Sequence, residues 1–119
     1  MKRDFELLRH ILIQIEDAPA SSQPIQFLSV DGSVTDETLG LHLKLLLDAG
    51  LIEGTVRQGR DVSFAIQRLT WAGHDFVERS RNEGVWRKVM EEVKSKGVSM
   101  TIEVLGKLLQ KYAESHLGM

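Results

Sequence analysis

The sequence contains no cysteine and only 2 prolines in 119 residues. Without cysteine, disulfide bonds, thiolate zinc sites and a cysteine nucleophile are excluded. No uninterrupted apolar run exceeds three residues, as in Leu45–Leu47, whereas a helix that crosses a bilayer needs about 20. The charged residues Met1 to Asp4 are not followed by the apolar core of a signal peptide. We therefore expect a cytoplasmic protein with no membrane partner.

The sequence also has no excess of positive charge. Lys and Arg number 15 against 17 Asp and Glu, which gives a net charge of −2. This excludes the general basic charge of a protein that coats nucleic acid or a membrane surface. Residues 1–53 carry 4 basic and 9 acidic side chains, whereas residues 54–119 carry 11 basic and 8 acidic ones. Function is therefore expected in local patches.

Catalytic motifs are missing as well. The 4 histidines lie on separate segments, with no His-x-x-x-His pair and no carboxylate at ligand spacing. A metal site therefore has no support in the sequence. The chain has neither a Gly-rich phosphate loop nor a G-x-S-x-G motif. We predict that the protein is not an enzyme, has no cofactor, metal or small-molecule ligand, and acts by binding.

The composition that remains is typical of a folded domain, with 42% hydrophobic and 27% charged residues. Thr35 or Ser33 is expected to cap the second helix, and Gly50 to end it. Ser99 is expected to start the last helix. The apolar periodicity predicts helices over residues 4–17, 35–49, 71–81, 85–96 and 99–116, a hairpin with strands at 51–56 and 62–67, and a short strand at 25–28.

Two motifs carry a resemblance. Residues 38–52 read Thr-Leu-Gly-Leu-His-Leu-Lys-Leu-Leu-Leu-Asp-Ala-Gly-Leu-Ile, which is similar to the recognition helix and the start of the wing in bacterial winged helix-turn-helix regulators. Residues 69–76, Leu-Thr-Trp-Ala-Gly-His-Asp-Phe, resemble the L-T-x-x-G segment that leaves the wing. From its Met-Lys-Arg-Asp start to its closing Leu117-Gly118, the chain resembles an uncharacterised family of phage and prophage proteins, classed as domain of unknown function 2513.

The resemblance implies a winged-helix-like fold in a bacterial or phage context, and no established activity. The predicted order of helix, strand, helix and hairpin agrees with that fold. We predict an α+β, mostly helical protein. A winged helix-turn-helix-like domain with a β-hairpin wing would occupy residues 1–81, and a C-terminal helical extension packed on it would occupy residues 82–119.

The first functional hypothesis is a transcriptional or accessory regulator that binds duplex DNA. The second helix carries three carboxylates against one lysine, which is the wrong sign for contact with phosphates. Residues 18–34 also leave little room for the supporting helix of a helix-turn-helix. We therefore expect DNA to be bound wing-first, by candidate residues on the wing and second helix: Arg57, Gln58, Arg60, Arg68 and Lys44.

The alternative is a protein-interaction or assembly module, with a degenerate helix-turn-helix that does not bind DNA. Its partner would be a second copy, forming a homodimer, or another protein. Leu41 and Leu45 form a second apolar stripe on the second helix, and Trp86 and Met90 add apolar surface on a later helix. Taken singly, Trp71 and Trp86 are each expected to be core anchors.

Overall fold

The computed structural model describes residues 4–19, 35–96 and 101–116. Within these ranges the chain is α+β and mostly helical, with five helices and one two-stranded antiparallel sheet. The predicted strand at residues 25–28 and the candidate cap Ser33 lie outside the described residues. Ser99 also lies outside them, but the prediction that it starts the last helix is wrong, since that helix begins at Ile102 after the cap Thr101. The elements are α1 (Phe5–Asp17), α2 (Asp36–Asp48), β1 (Ile52–Gln58), β2 (Val62–Leu69), α3 (Trp71–Ser80), α4 (Glu83–Lys96) and α5 (Ile102–His116).

The chain divides into two compact units, Met1–His74 and Asp75–Met119. The domain division expected from the sequence, residues 1–81 and 82–119, stays a prediction. In the described part of the chain, no helix combines the length and the apolar character needed to cross a membrane.

The first unit has an apolar core in which two helices pack with the hairpin. Polar caps fix the helix starts: the Asp4 carboxylate accepts the Leu7 N–H at 3.1 Å, and Thr35 Oγ1 accepts the Thr38 N–H at 3.2 Å. The predicted Thr35 cap is therefore confirmed. The buried apolar side chains are Leu8, Ile11, Leu12 and Ile15 on α1, Leu43 and Leu46 on α2, Leu51 after it, and Ile52, Ile66 and Leu69 on the hairpin.

The hairpin is antiparallel, and a bulge interrupts its register between Glu53 and Gly54. Gly54 has φ +153, and a Cβ there would overlap the backbone of Ala65 and Ile66. A second close approach is at Gly40 on α2, where a Cβ would lie 2.6 Å from Val62 Cγ1. These glycines allow close strand pairing at the bulge and close packing of α2 on the hairpin.

The base of the hairpin is closed by Thr70. Its N–H donates to the Leu51 carbonyl at 2.9 Å, and its hydroxyl donates to the Gly50 carbonyl at 2.6 Å. The same hydroxyl accepts the Gly73 N–H at 3.1 Å and so caps α3. Gly50 adopts φ 75 and reverses the chain after α2, as predicted. The two motifs identified in the sequence, at residues 38–52 and 69–76, therefore meet here.

The second unit contains the rest of α3 together with α4 and α5. Asn82 Oδ1 accepts the Val85 N–H at 3.0 Å, so α4 begins at Glu83, two residues before the predicted start. Thr101 caps α5 in the same way, by accepting the Val104 N–H at 3.2 Å. Helices α4 and α5 pack together, and Tyr112 of α5 donates its phenolic hydrogen to Glu92 of α4 at 2.6 Å.

The expectation that both tryptophans are core anchors is wrong for Trp71. Trp86 is buried, with 3% of its surface exposed, but Trp71 is 84% exposed and is not a core anchor. The buried face of α3 repeats at Gly73, Phe76, Val77 and Ser80. Trp71 precedes Gly73 by two residues, about 200° around the helix, and therefore lies on the opposite side.

Candidate nucleic-acid interface

One face of the hairpin is exposed and polar. The register pairs Glu53 with Arg68, Thr55 with Ala65, and Arg57 with Ser63, and five of these six side chains are exposed. The pairs between them place Gly54 with Ile66 and Val56 with Phe64 on the face towards the core. Alternation of side chains along paired strands thus presents Arg57 to solvent.

Arg68 is held by a carboxylate across the sheet. Its Nε donates to Glu53 Oε2 at 2.7 Å, and its Nη2 donates to Glu53 Oε1 at 3.2 Å. These hydrogen bonds, together with the arginine charge, lower the pKa of the Glu53 carboxyl below its ordinary value. Glu53 therefore remains ionised at neutral pH and neutralises the charge of Arg68 in a bidentate ion pair.

The hairpin tip, residues 57–61, carries the remaining arginines. Arg57 and Arg60 are both exposed, as are Gly59 and Asp61. Within the described part of the chain, no carboxylate lies within 4.0 Å of either guanidinium. The side chain of the candidate Gln58 lies outside the described residues. The hairpin from 52 to 69 thus contains three arginines against Glu53 and Asp61, of which two arginines are unpaired.

Lys44, the remaining candidate, lies on the exposed face of α2. Glu37 and Asp48 are exposed there too, while Leu41 and Leu45 are half-buried. The first turn of α2 holds two carboxylates and its last turn holds no basic residue. The exposed face of α2 is therefore not positively charged like the hairpin tip.

His42 is the buried polar side chain of α2, with 1% of its surface exposed. Its Nδ1 lies 2.8 Å from the Thr38 carbonyl, and its Nε2 accepts the Asp4 N–H at 3.0 Å. This network assigns the hydrogen of the neutral ring to Nδ1. His42 thus joins the N-cap of α1 to α2, a structural role for the histidine of the motif.

The candidate interaction residues are not equally accessible. Leu41, Leu45 and Met90 are half-buried, and Trp86 is buried. Trp71, by contrast, is the most exposed large apolar side chain in the described part of the chain. Apolar periodicity does not predict this exposure, because Trp71 lies at the start of a ten-residue helix.

No group of three or more histidines and carboxylates in the described residues is placed to hold a metal ion. A cleft within the second unit is lined by six charged or polar residues together with Val85 and Ala113. We assign it no ligand. Its lining residues are Asp75, Glu78, Arg79, Asn82, Val85, Gln110, Ala113 and Glu114.

Comparison with known proteins places the chain in a family. The family model described as "Hypothetical protein (DUF2513)" matches residues 2–99. The chain belongs to this family. A relative from Haemophilus influenzae, with the printed name "Uncharacterized protein", is 33% identical over 114 residues, which cover 92% of this chain and 93% of the relative. No solved structure matches the chain.

The DUF2513 match confirms the family predicted from the sequence. It spans the hairpin, the base of the hairpin and α4, but ends before α5 begins at Ile102. Neither the family description nor the name of the relative states an activity. The phage context and the winged-helix fold therefore stay predictions.

Proposed function

We propose that this DUF2513 protein is a winged-helix-like accessory or regulatory protein that contacts duplex DNA through its hairpin tip. The observation that carries the proposal is the exposure of Arg57 and Arg60 without a carboxylate partner in the described residues. A guanidinium that already pairs with a carboxylate gains little binding energy from a phosphate. An unpaired guanidinium exchanges water and counterions for a bidentate hydrogen bond to the phosphate.

The charge of α2 argues for contact by the hairpin rather than by the helix. The helix begins with Asp36 and Glu37, and both are exposed. In a helix-turn-helix the first residues of the recognition helix approach the base edges. Two carboxylates at that position would face phosphates of the same sign, so the tip is the better point of contact.

Two arginines on a short turn are better suited to contact the phosphate backbone of DNA than to recognise a base sequence. Backbone contacts set register and affinity, whereas base contacts set sequence preference. Since α2 offers few donors for base edges, we expect binding that is weak, sensitive to salt and nearly independent of sequence.

The test is fluorescence anisotropy of a labelled duplex of about 20 base pairs at low salt. Arg57→Ala and Arg60→Ala should each weaken binding several-fold, and the double variant should abolish it. Arg68→Ala removes the same formal charge and is the matched control. Because Arg68 is paired with Glu53, its loss should change affinity little.

Two results would contradict the proposal. One is the absence of binding by the intact protein at low salt. The other is an equal loss of affinity in Arg57→Ala and Arg68→Ala, which would indicate attraction by net charge alone.

The alternative function, protein interaction or assembly through Leu41, Leu45, Trp86 and Met90, stays a prediction. Sedimentation of the protein over a range of concentrations tests the homodimer directly. A constant monomer mass at all concentrations would exclude a homodimer that forms through Leu41 and Leu45.

A further inference from the structure

The solvent face of the hairpin contains two pairs of opposite residues that each include an arginine. Glu53 lies opposite Arg68, and Ser63 lies opposite Arg57. All four side chains are exposed. Directly opposite residues of an antiparallel sheet have Cβ atoms about 4.5–5.5 Å apart, so each arginine can reach a group at the position of its neighbour. The hairpin therefore shows the same arrangement once with a carboxylate and once without.

In the pair near the base of the hairpin, the carboxylate satisfies the arginine. Arg68 donates to both oxygens of Glu53, at 2.7 and 3.2 Å. An arginine on one strand of this hairpin can thus form a bidentate bond to an oxyanion at the opposite residue.

The pair near the tip has the donors but lacks the oxyanion. Within the described part of the chain, Arg57 has no carboxylate within 4.0 Å, and the Ser63 hydroxyl has no hydrogen-bond partner. A guanidinium has N–H donors and no acceptor, and a serine hydroxyl can donate one further bond. Both side chains can therefore donate to one anion between them. Asp61, the carboxylate of the tip, has no partner in the strand register, which begins at Val62.

We propose that Arg57 and Ser63 together bind one phosphate group of duplex DNA, in the position that a carboxylate occupies against Arg68. This inference rests on the proposed function and names the site of one backbone contact. Arginine and serine side chains are both common donors to DNA phosphates. A phosphate backbone also offers a further anion to Arg60 at the same tip, whereas a single carboxylate would leave that guanidinium unpaired. The solvent face of the hairpin, and not its tip alone, then lies against the DNA backbone.

The test is a double-mutant cycle in the anisotropy assay, with the labelled duplex at low salt. Ser63→Ala should weaken binding about two- to tenfold, the range for one hydrogen bond. Because serine carries no charge, the slope of log K against log salt should stay the same, whereas Arg57→Ala should make it less steep by about 0.9. In the Arg57→Ala background, Ser63→Ala should cause no further loss, since the shared phosphate is already released.

Thr55→Val is the matched control. Thr55 is exposed on the same face, but it lies opposite Ala65 and not opposite an arginine. Loss of its hydroxyl should therefore change affinity little. Ser63→Glu should place a carboxylate opposite Arg57, copy the pair near the base of the hairpin and weaken binding at least as much as Arg57→Ala, with the same change in net charge.

Three outcomes would overturn this inference and leave the proposed function in place: unchanged affinity in Ser63→Ala, an equal loss in Thr55→Val, or a full additional loss in the Arg57→Ala background. Absence of duplex binding by the intact protein would overturn both. Displacement of the labelled duplex by poly-glutamate as effectively as by unlabelled duplex would assign the site to the carboxylates of an acidic protein, and so also overturn the phosphate contact.

Discussion

At the scale of single residues, several motif positions serve close packing at the base of the hairpin. Gly73 is the clearest case, because a Cβ there would overlap the carbonyl oxygen of Leu51. That carbonyl already accepts the Thr70 N–H, so it is not free to move away. The glycine of the L-T-x-x-G segment is thus required by the chain that passes beside it.

Gly73→Ala should lower the free energy of unfolding by about 1–3 kcal/mol, the usual cost of forcing a group into a packed site. Gly106, inside α5, is the matched control, since no described atom lies within 4 Å of a Cβ placed there. Gly106→Ala should raise stability by up to about 1 kcal/mol through helix propensity. Urea unfolding measures both, and equal effects of the two substitutions would refute the packing argument.

His42→Leu should also destabilise the protein. Leucine fits a buried site but leaves the Asp4 N–H and the Thr38 carbonyl without the histidine that they bond in the structure. Removing such partners costs about 1–3 kcal/mol. His10→Leu, at an exposed position on α1, should change stability by less than about 0.5 kcal/mol. Urea unfolding with no difference between the two variants would show that the bonds of His42 contribute nothing.

At the scale of elements, the hairpin and the α4–α5 pair each contain a polar side-chain contact between neighbouring elements. In the hairpin, Glu53 neutralises Arg68 and leaves the tip as the positive end. Between α4 and α5, the Tyr112 hydroxyl donates to Glu92. The hydrogen bond to Glu92, then partial burial and the nearby carboxylates Glu92 and Glu91, raise the pKa of Tyr112 above its ordinary value.

The Tyr112 contact makes stability depend on pH in the alkaline range. Since the folded pKa is raised, the contact contributes fully below the unfolded value of about 10 and is lost as the pH rises through the folded value. The chain has 1 tyrosine, so the absorbance of its phenolate reports this group alone. Glu92→Gln should lower the midpoint of that titration, and Tyr112→Phe should flatten the alkaline loss of stability. A midpoint unchanged by Glu92→Gln would contradict the role of the contact.

At the scale of the whole molecule, no unit carries a general positive charge. Residues 1–74 hold 7 basic and 10 acidic side chains, and residues 75–119 hold 8 basic and 7 acidic ones. The proposed attraction to DNA therefore depends on the local positions of the charged side chains and not on net charge. The tip carries Arg57 and Arg60, while α1 and α2 end in Asp17 and Asp48.

The salt dependence of DNA binding should reflect this distribution. Each neutralised phosphate contributes about −0.9 to the slope of log K against log salt, so two arginines predict a slope of about −2. Anisotropy titrations across a series of salt concentrations measure it. A slope steeper than about −5 would require many more contacts than the tip provides and would refute binding by Arg57 and Arg60 alone.

Much of the fold is predictable from short stretches of sequence. The helices α1, α2 and α3, the hairpin and the Thr35 cap follow from apolar periodicity and from side chains within a few residues of each other. The exposure of Arg57 and Arg60 is predictable in the same way, because a turn between two alternating strands places its residues in solvent. The family was also evident from motifs that the match to residues 2–99 confirms.

What the sequence by itself determined is therefore local: the order of the described elements, the Thr35 cap of α2 and the absence of cysteine chemistry. The tertiary structure decided which polar groups find partners. Arg68 and Glu53 are 15 residues apart, and Asp4 and His42 are 38 apart, so their pairing depends on a register bulge and on how α1 packs with α2. The exposure of Trp71 was decided likewise, because the buried face of α3 is set by Gly73 against the Leu51 carbonyl, a contact that periodicity over a ten-residue helix does not specify.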